Sequence, residues 1–395
     1  MIARAALSGL LVAVLALAGC LGPVSLHDAV LGYDRTVGRI ELEMLLLNIA
    51  RLRDRLPVHF TVTSSIAATF NYQVSTGVAG IYNDTPGYFK PSFSIGAAAA
   101  ENPTLSIVPM QGREFTERVL TPMDEAKFEF LIFQGSPIDM VLRLMAGGIE
   151  VQTPEGRFER FILNSPTRPE EYEEFRRVVL QLAWLNANRK LFVSRLFFVE
   201  ATRATLSAPP PADEIRNAVE KDFRWRQVPG AGVHELERRV IGRVAITNYD
   251  PRTLSDAERR ALNAKAVNNP GNFVLIDIRP GYPGGGDWPL FGAFKLRSLN
   301  RILDFVAEDG GSAPEYDVKP DPRTGDAGPN PPQTLAINMT ESAGTREFPY
   351  ARYRGRYYAV ADTPWDRKGF RLLYQLFQMT VTDVSQVGVP ITISK

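Results

Sequence analysis

One thiol, three imidazoles and a handful of loop carboxylates are the side chains through which this chain could do chemistry. The thiol is Cys20, the single cysteine among 395 residues. Alone it makes no intrachain disulfide and no cysteine metal site, so covalent modification is the chemistry left to it. The imidazoles are His27, His59 and His234. His234-Glu235 lacks the second histidine of a zinc-protease helix motif. Asp317, Asp321 and Asp326 share a loop-like stretch but not the spacing of a calcium loop, and they read as solvated acids. No Gly-x-Ser-x-Gly elbow and no phosphate-binding Gly-x-x-x-x-Gly-Lys occurs. The run from Gly281 to Gly286 lacks the spacing and the strand-to-helix setting of a dinucleotide site. These residues point to no enzyme, no metal site and no other cofactor.

The surroundings of Cys20 explain its presence. Arg4 precedes an unbroken apolar run, Leu10 to Leu17, which closes in Leu17-Ala18-Gly19-Cys20. A charged start, a short apolar run and small residues before a cleavage point are the marks of an export signal, and the run is too short for a comfortable membrane span. The pattern resembles the lipobox of bacterial lipoproteins. In that family the chain is cut before the cysteine, here between Gly19 and Cys20, and the thiol carries a diacylglyceryl group. An acyl chain, often palmitate, follows on the new amino group. Each buried methylene contributes about 0.8 kcal/mol, so two or three chains hold a protein on a bilayer without a transmembrane helix. Leu21 is not aspartate, which by the family's sorting rule implies the outer membrane, with the body most simply on the periplasmic face.

Composition bounds the rest. The chain is 45% hydrophobic and 23% charged, enough for a sizeable core or two domains. A net charge of +1 with no basic block argues against nucleic acid, which demands a concentrated positive surface.

Among the elements, a helix from Tyr33 to Leu56 is predicted from Leu42, Leu45, Ile49, Leu52 and Leu56, which fall on one face. Pro57 ends it. Arg51, Arg53 and Arg55 read as its solvated or ion-paired side. The stretch that follows, 60–99, is the most unusual. Phe60, Val62, Ile66, Ala68, Phe70, Tyr72 and Val74 alternate with Thr61, Thr63, Ser65, Thr69, Asn71, Gln73 and Ser75, with Ser64 out of phase. A second stretch alternates Phe89, Phe93, Ile95, Ala97 and Ala99 with Lys90, Ser92, Ser94, Gly96 and Ala98. Asn83-Asp84-Thr85-Pro86-Gly87 between them is turn-forming. Together they read as one long amphipathic hairpin, whose first strand reaches roughly 50 Å. Two readings stay open. The hairpin lies across a soluble sheet, or it contributes to a multi-chain outer-membrane barrel, which a lone hairpin can close only by oligomerising. Pro91 and the small residues Ala97 to Ala100 weigh against the barrel.

Beyond the hairpin, a separate short strand is predicted at Thr104 to Pro109 and helices near Glu114 to Leu120, Met123 to Phe133 and Ile138 to Met145, the last broken by Gly147-Gly148. Phe158 to Leu163 reads as a strand, Thr167-x-x-Glu170 as a helix-capping box and Leu191 to Glu200 as a strand. Ser207-Ala208-Pro209-Pro210-Pro211 is the best boundary. After it come a helix at Asp213 to Lys221, strands around Glu237 to Thr247, a capped helix from Ser255, a strand at Asn272 to Ile278 and a helix at Phe294 to Val306. The stretch 308–333 reads as a mobile loop. Strands flanking Arg354-Gly355-Arg356, a helix from Thr363-Pro364 and a strand at Val389 to Ile393 close the chain. The expected organisation is signal peptide 1–19, lipidated tether 20–32, an α+β region 33–206, a proline-rich linker 207–212 and a second α+β region 213–395. The fold class is α+β, with mostly antiparallel strands.

Several phrases carry a second resemblance: Leu45-Leu46-Leu47-Asn48-Ile49-Ala50-Arg51-Leu52-Arg53, Pro109-Met110-Gln111-Gly112-Arg113-Glu114-Phe115, Tyr353-Arg354-Gly355-Arg356-Tyr357-Tyr358 and Val389-Pro390-Ile391-Thr392-Ile393. They resemble a group of proteobacterial lipoproteins of similar length, which implies no activity or site residues. The expected role is a non-enzymatic structural or assembly component of the envelope. Its partners are the membrane, through the lipid, and other envelope proteins or further copies of itself, through the hairpin. An oligomeric export pore is the first alternative and an envelope enzyme with a dispersed site the second.

Overall fold

The computed structural model describes residues 27, 30–82, 89–267, 270–282, 288–309, 313–342, 349–380 and 391–394. The fold is α+β, as expected. A helix over 30–53 (α1) leads to two long strands, β1 (Thr61–Tyr82) and β2 (Phe89–Pro109). A short helix α2 (Gly112–Phe115) passes into a π-helix (Thr116–Leu120), then α3 (Glu125–Phe133) and α4 (Ile138–Met145). Next come β3 (Ala146–Gln152), β4 (Phe158–Leu163), α5 (Pro169–Ala187) and β5 (Phe192–Leu206). These are followed by α6 (Ala212–Glu220), β6 (Phe223–Gln227), β7 (His234–Thr247) and α7 (Asp256–Val267). Then β8 (Phe273–Ile278), β9 (Leu290–Leu296), α8 (Leu299–Asp309), β10 (Ile337–Thr340), β11 (Tyr350–Tyr353) and β12 (Arg356–Val360) follow. Helix α9 (Pro364–Gln378) and β13 (Ile391–Ser394) come last.

The chain forms two compact units. One comprises 1–44, 59–112 and 381–395, and the other 45–58 and 113–380. In the first, β1 and β2 pair antiparallel from Thr61↔Pro109 to Tyr82↔Phe89, and β13 joins the base of β2 from Ile391↔Ile107 to Ser394↔Thr104. The hairpin is longer than its alternation suggested, because the strand expected at Thr104 to Pro109 is the continuation of β2. The out-of-phase Ser64 also has a cause. The register shifts between Thr63 and Ser65, so two residues of β1 oppose one of β2. A one-residue bulge exchanges the two faces of a strand. Val62, opposite Val108, therefore takes the parity of Ser65 and Thr69 and not that of Ile66 and Phe70. The turn expected at 83–87 lies outside the described residues.

The second unit is built on a seven-stranded sheet ordered β4-β3-β9-β8-β7-β5, with β6 also paired to β7. All its pairs are antiparallel except β7–β8, which α7 connects as a crossover. The cluster of Leu196, Ala245, Leu254, Leu262, Ala266 and Leu275 buries α7 against one face. On the other, Phe175 of α5 meets Phe294 of β9 edge-on, with ring centroids 6.2 Å apart. A small sheet, β10-β12-β11, lies in the same unit with α9.

Several expectations need correction. Segment 207–212 is no domain linker, because β5 before it and β6 after it both pair with β7 in one sheet. The helix expected to stop at Gly147-Gly148 does end just before them, at Met145, but the two glycines lie in a strand, β3, where a side chain at 148 would collide with the Ile162 carbonyl. Residues 294–296, expected as helix, belong to β9, and α8 begins at Leu299. The Thr167 capping box does not form, since α5 starts at Pro169 after an Arg168 that makes no side-chain cap. The Ser255 box does form, with Ser255 Oγ accepting from Glu258 N and Glu258 Oε2 accepting from Ser255 N. Strand β6 was not expected at all. Arg53 is only half solvated: its Nη2 donates to Ile337 O at 3.1 Å and its guanidinium lies over the Tyr358 ring. Helical residues 30–32 fall within the stretch expected as tether.

Candidate functional site

Two features of the fold stand apart from ordinary packing: a buried charge cluster in the second unit and the long hairpin of the first.

The cluster is built on α4 and α5. Arg143 of α4 is 2% exposed and Arg176 of α5 fully buried. Both helices are mainly apolar on their inner sides, so two guanidiniums there demand compensation. It comes from the stretch expected to be a mobile loop. Glu315, whose carboxylate is 2% exposed, places Oε1 at 3.7 Å from both Arg143 Nη2 and Arg176 Nη1. The same oxygen accepts from the Tyr172 hydroxyl and the Thr334 hydroxyl, each at 2.8 Å. Oε2 accepts the backbone N–H of Thr334 at 2.6 Å. Arg143 Nε donates to Thr334 Oγ1 and its Nη2 to Pro332 O, both at 2.9 Å. Arg176 donates to Tyr172 Oη, Pro332 O and Asn330 Oδ1. Residues 313–336 lack regular structure yet are bolted to the helices, which corrects the reading as mobile over 313–333; residues 308–309 end α8, and 310–312 lie outside the described residues. Glycine and proline content signalled irregular backbone, but the irregular path is fixed by long-range bonds.

The electrostatics suit a lock. Burial pushes Arg143 down to about 10, and the charge of Glu315 opposes that shift. Arginine thus stays charged at neutral pH. Burial and then the Glu315 charge raise the Tyr172 hydroxyl far above its usual range, so it remains a proton donor. A groove of about 840 Å³ opens beside the cluster, lined by Asp139, Asn186, Asn330, Trp365 and Lys368 among others. Trp365 stacks under the Arg143 guanidinium and donates Nε1–H to Thr334 O at 3.1 Å. The groove lining holds no histidine, cysteine or serine. Asp139, in the first turn of α4, is raised chiefly by burial, opposed by backbone N–H groups.

The residues singled out from sequence are not brought together. Cys20 and Gly19 lie outside the described residues. His27 and His59 are exposed, and His234 begins β7 instead of a helix. Asp321 is bound by Arg323, and Asp326 accepts the Gly328 N–H in its own turn. Among the described residues no group of histidine, cysteine and acidic side chains has the geometry to hold a metal ion. Nor is any helix among them long and apolar enough to cross a membrane. Sequence reading missed Arg143, Arg176 and Glu315. The available signal was weak: two arginines in otherwise apolar helical faces.

The hairpin is the other candidate. Strand β1 has 22 residues without one Asp, Glu, Lys or Arg, and β2 has 21 with only Lys90 and Glu101. Strands in globular proteins average five or six residues. Along 65–82 no strand pairs with the outer edge of β1, and along 89–103 none pairs with the outer edge of β2, among the described residues. Such edges present rows of backbone donors and acceptors to whatever strand approaches.

No protein-family model, no curated protein and no solved structure matches the chain.

Proposed function

We propose that this chain is a lipoprotein of the outer membrane, held by acylated Cys20 and facing the periplasm, that serves as a non-enzymatic assembly component. Its long hairpin binds protein partners by strand addition. The observation that carries the reading is the ladder from Thr61↔Pro109 to Tyr82↔Phe89, with both outer edges open over most of its length among the described residues. A two-stranded ribbon is marginal alone in water. Backbone pairing with a further strand supplies hydrogen bonds along its edge. The buried charges of the second unit support a non-enzymatic role, because Glu315, Tyr172, Arg143 and Arg176 are committed to each other and to the 330–334 backbone.

Two variants of the full chain test this in cells. Cys20→Ser, in a chain that also lacks 72–88, is expected to leave the outer-membrane fraction. Deletion of 72–88 is expected to keep the protein in the membrane but abolish its crosslinks to neighbouring proteins. Crosslinks that survive the deletion unchanged would overturn the role of the hairpin, and retention of the Cys20→Ser chain lacking 72–88 in the outer membrane would overturn the anchor.

A further inference from the structure

We propose that the outer part of the hairpin, 72–82 paired with 89–99, crosses a lipid bilayer as a segment of a β-barrel closed by further copies of this chain. The inference rests on the hairpin being the device of association, and it names the partner strand as another copy of the same hairpin.

The register carries the argument. Beyond the bulge, even positions of β1 pair with odd positions of β2. One face then has the rows Tyr72↔Ala99, Val74↔Ala97, Thr76↔Ile95, Val78↔Phe93, Gly80↔Pro91 and Tyr82↔Phe89. The other has Gln73↔Ala98, Ser75↔Gly96, Gly77↔Ser94, Ala79↔Ser92 and Ile81↔Lys90. One face is apolar but for Thr76 and the other small and polar but for Ile81, in the row beside the tip, which is the division between lipid and lumen in a membrane barrel. The sequence alone showed alternation in each strand; the pairing shows that both apolar sets share one face.

The dimensions agree with a bilayer. From Tyr72 to Tyr82 the strand rises roughly 33 Å, which at a barrel tilt of about 40° spans about 25 Å, the height of the apolar band. The segment between Lys90 and Glu101 on β2 is uncharged, and its length falls within the ~9–11 residues of a membrane strand. Both charges sit at the limits. Lys90 is in the row beside the tip, and Glu101 stands opposite Phe70, one apolar row below Tyr72. Aromatic residues mark both limits too, with Tyr82 and Phe89 at the tip and Phe70 and Tyr72 at the far side. Aromatic girdles occupy these two levels in membrane barrels. Pro91 removes a ladder donor only in the row Gly80↔Pro91, two rows from Tyr82↔Phe89 and near the end of the band.

Closure is obligatory in lipid, where an open sheet edge leaves backbone groups unsatisfied at several kcal/mol each. Two strands per chain cannot close. Side chains fill the interior at about eight strands and an aqueous channel opens at roughly sixteen, so a conducting ring requires on the order of eight copies.

The test uses the full lipidated chain, whose only native thiol is then blocked, carrying single cysteines at Gln73, Val74, Ser75 or Val78. Each variant is spin-labelled and reconstituted in vesicles of phosphatidylethanolamine and phosphatidylglycerol. The expected result is that labels at 74 and 78 collide with oxygen, labels at 73 and 75 collide with a water-soluble nickel chelate, and the particle is a ring of copies. In a planar bilayer of the same lipids, a charged thiol reagent is expected to reduce conductance at 73 and 75 only. Equal access of the chelate to all four positions, or a monomeric particle, overturns the inference. If crosslinks to other envelope proteins still depend on 72–88 in that event, the assembly role stands and only the shared barrel fails. If they do not, both fail.

Discussion

Tyr172 and Glu315 stand 143 residues apart in the chain and share a hydrogen bond of 2.8 Å in the interior. Around that bond, two buried arginines, one carboxylate and one threonine fasten an irregular segment to α4 and α5. A buried ion cluster is weak evidence for net stability, because desolvation offsets attraction. Its worth lies in specifying one path for a chain segment that no regular ladder directs. Breaking it from one side, however, strands the remaining charges.

Glu315→Ala therefore costs about 3–5 kcal/mol, the range for leaving buried charges uncompensated. Glu315→Gln keeps an acceptor for Tyr172 and Thr334 but loses the charge, and is expected to lie below that cost while remaining destabilising. Urea unfolding of the soluble, acyl-free chain measures both. Equal stability of wild type and Glu315→Ala would remove the lock from this account.

Asp321 accepts Arg323 Nε at 2.7 Å, Arg323 Nη2 at 2.9 Å and the Arg323 N–H at 2.9 Å. The Arg323 side chain and then its backbone N–H pull the carboxyl down to about 2 from an ordinary 3.8. A depressed carboxyl contributes stability above its unfolded value, and that contribution fades as pH falls from 3.8 toward 2. Carboxyl NMR titration is expected to show Asp321 among the last acids to protonate. In Arg323→Ala its midpoint rises toward the ordinary value.

Gly292 in β9 has φ +148°, and a Cβ there would lie 1.9 Å from the Glu150 carbonyl oxygen in β3. The obstacle is backbone, so no rotamer relieves it. Gly292→Ala is expected to cost about 2–4 kcal/mol through strain and overpacking. Gly355, at a left-handed turn with open space around it, pays only for its φ of +81° and is the milder position to substitute by alanine.

Strand β13 covers β2 only along Thr104–Ile107. Removal of 391–395 is expected to speed amide exchange of residues on that edge of β2 while leaving rows from Gln73↔Ala98 to the tip unchanged. Exchange followed by mass spectrometry reads this directly. Uniform acceleration along the whole hairpin would mean that its ladder depends on β13 throughout.

Local signals in the sequence were legible where the chain decides its own conformation. Helix α4 fell on Ile138–Met145, the Ser255–Glu258 box capped α7, and Thr363-Pro364 opened α9, with Asp366 N donating to Thr363 Oγ1. Hairpin alternation was equally plain, and the one flaw at Ser64 turned out to be a bulge. What stayed hidden was decided by partners distant in sequence. Residues 294–296 carry a helix-like pattern but sit between β3 and β8, where pairing on both sides overrides propensity. The proline run at 207–212 looked like a boundary because stiffness is visible locally, whereas membership of one sheet is not. The Arg143–Arg176–Glu315 cluster joins three segments that no spacing relates.

The pairing of Ile391 with Ile107 also sets a timetable. Synthesis delivers β1 and β2 early, yet the strand that covers the base of the hairpin emerges only after the entire second unit. Contacts of such long sequence separation form late and slowly. During that interval a ribbon with only two charged side chains, Lys90 and Glu101, is present with its base unsealed, the kind of intermediate that aggregates or pairs prematurely. If the proposed location and association hold, a periplasmic chaperone that shields strand edges, or the engagement of hairpins from neighbouring chains, has its natural moment there, before the chain has sealed itself.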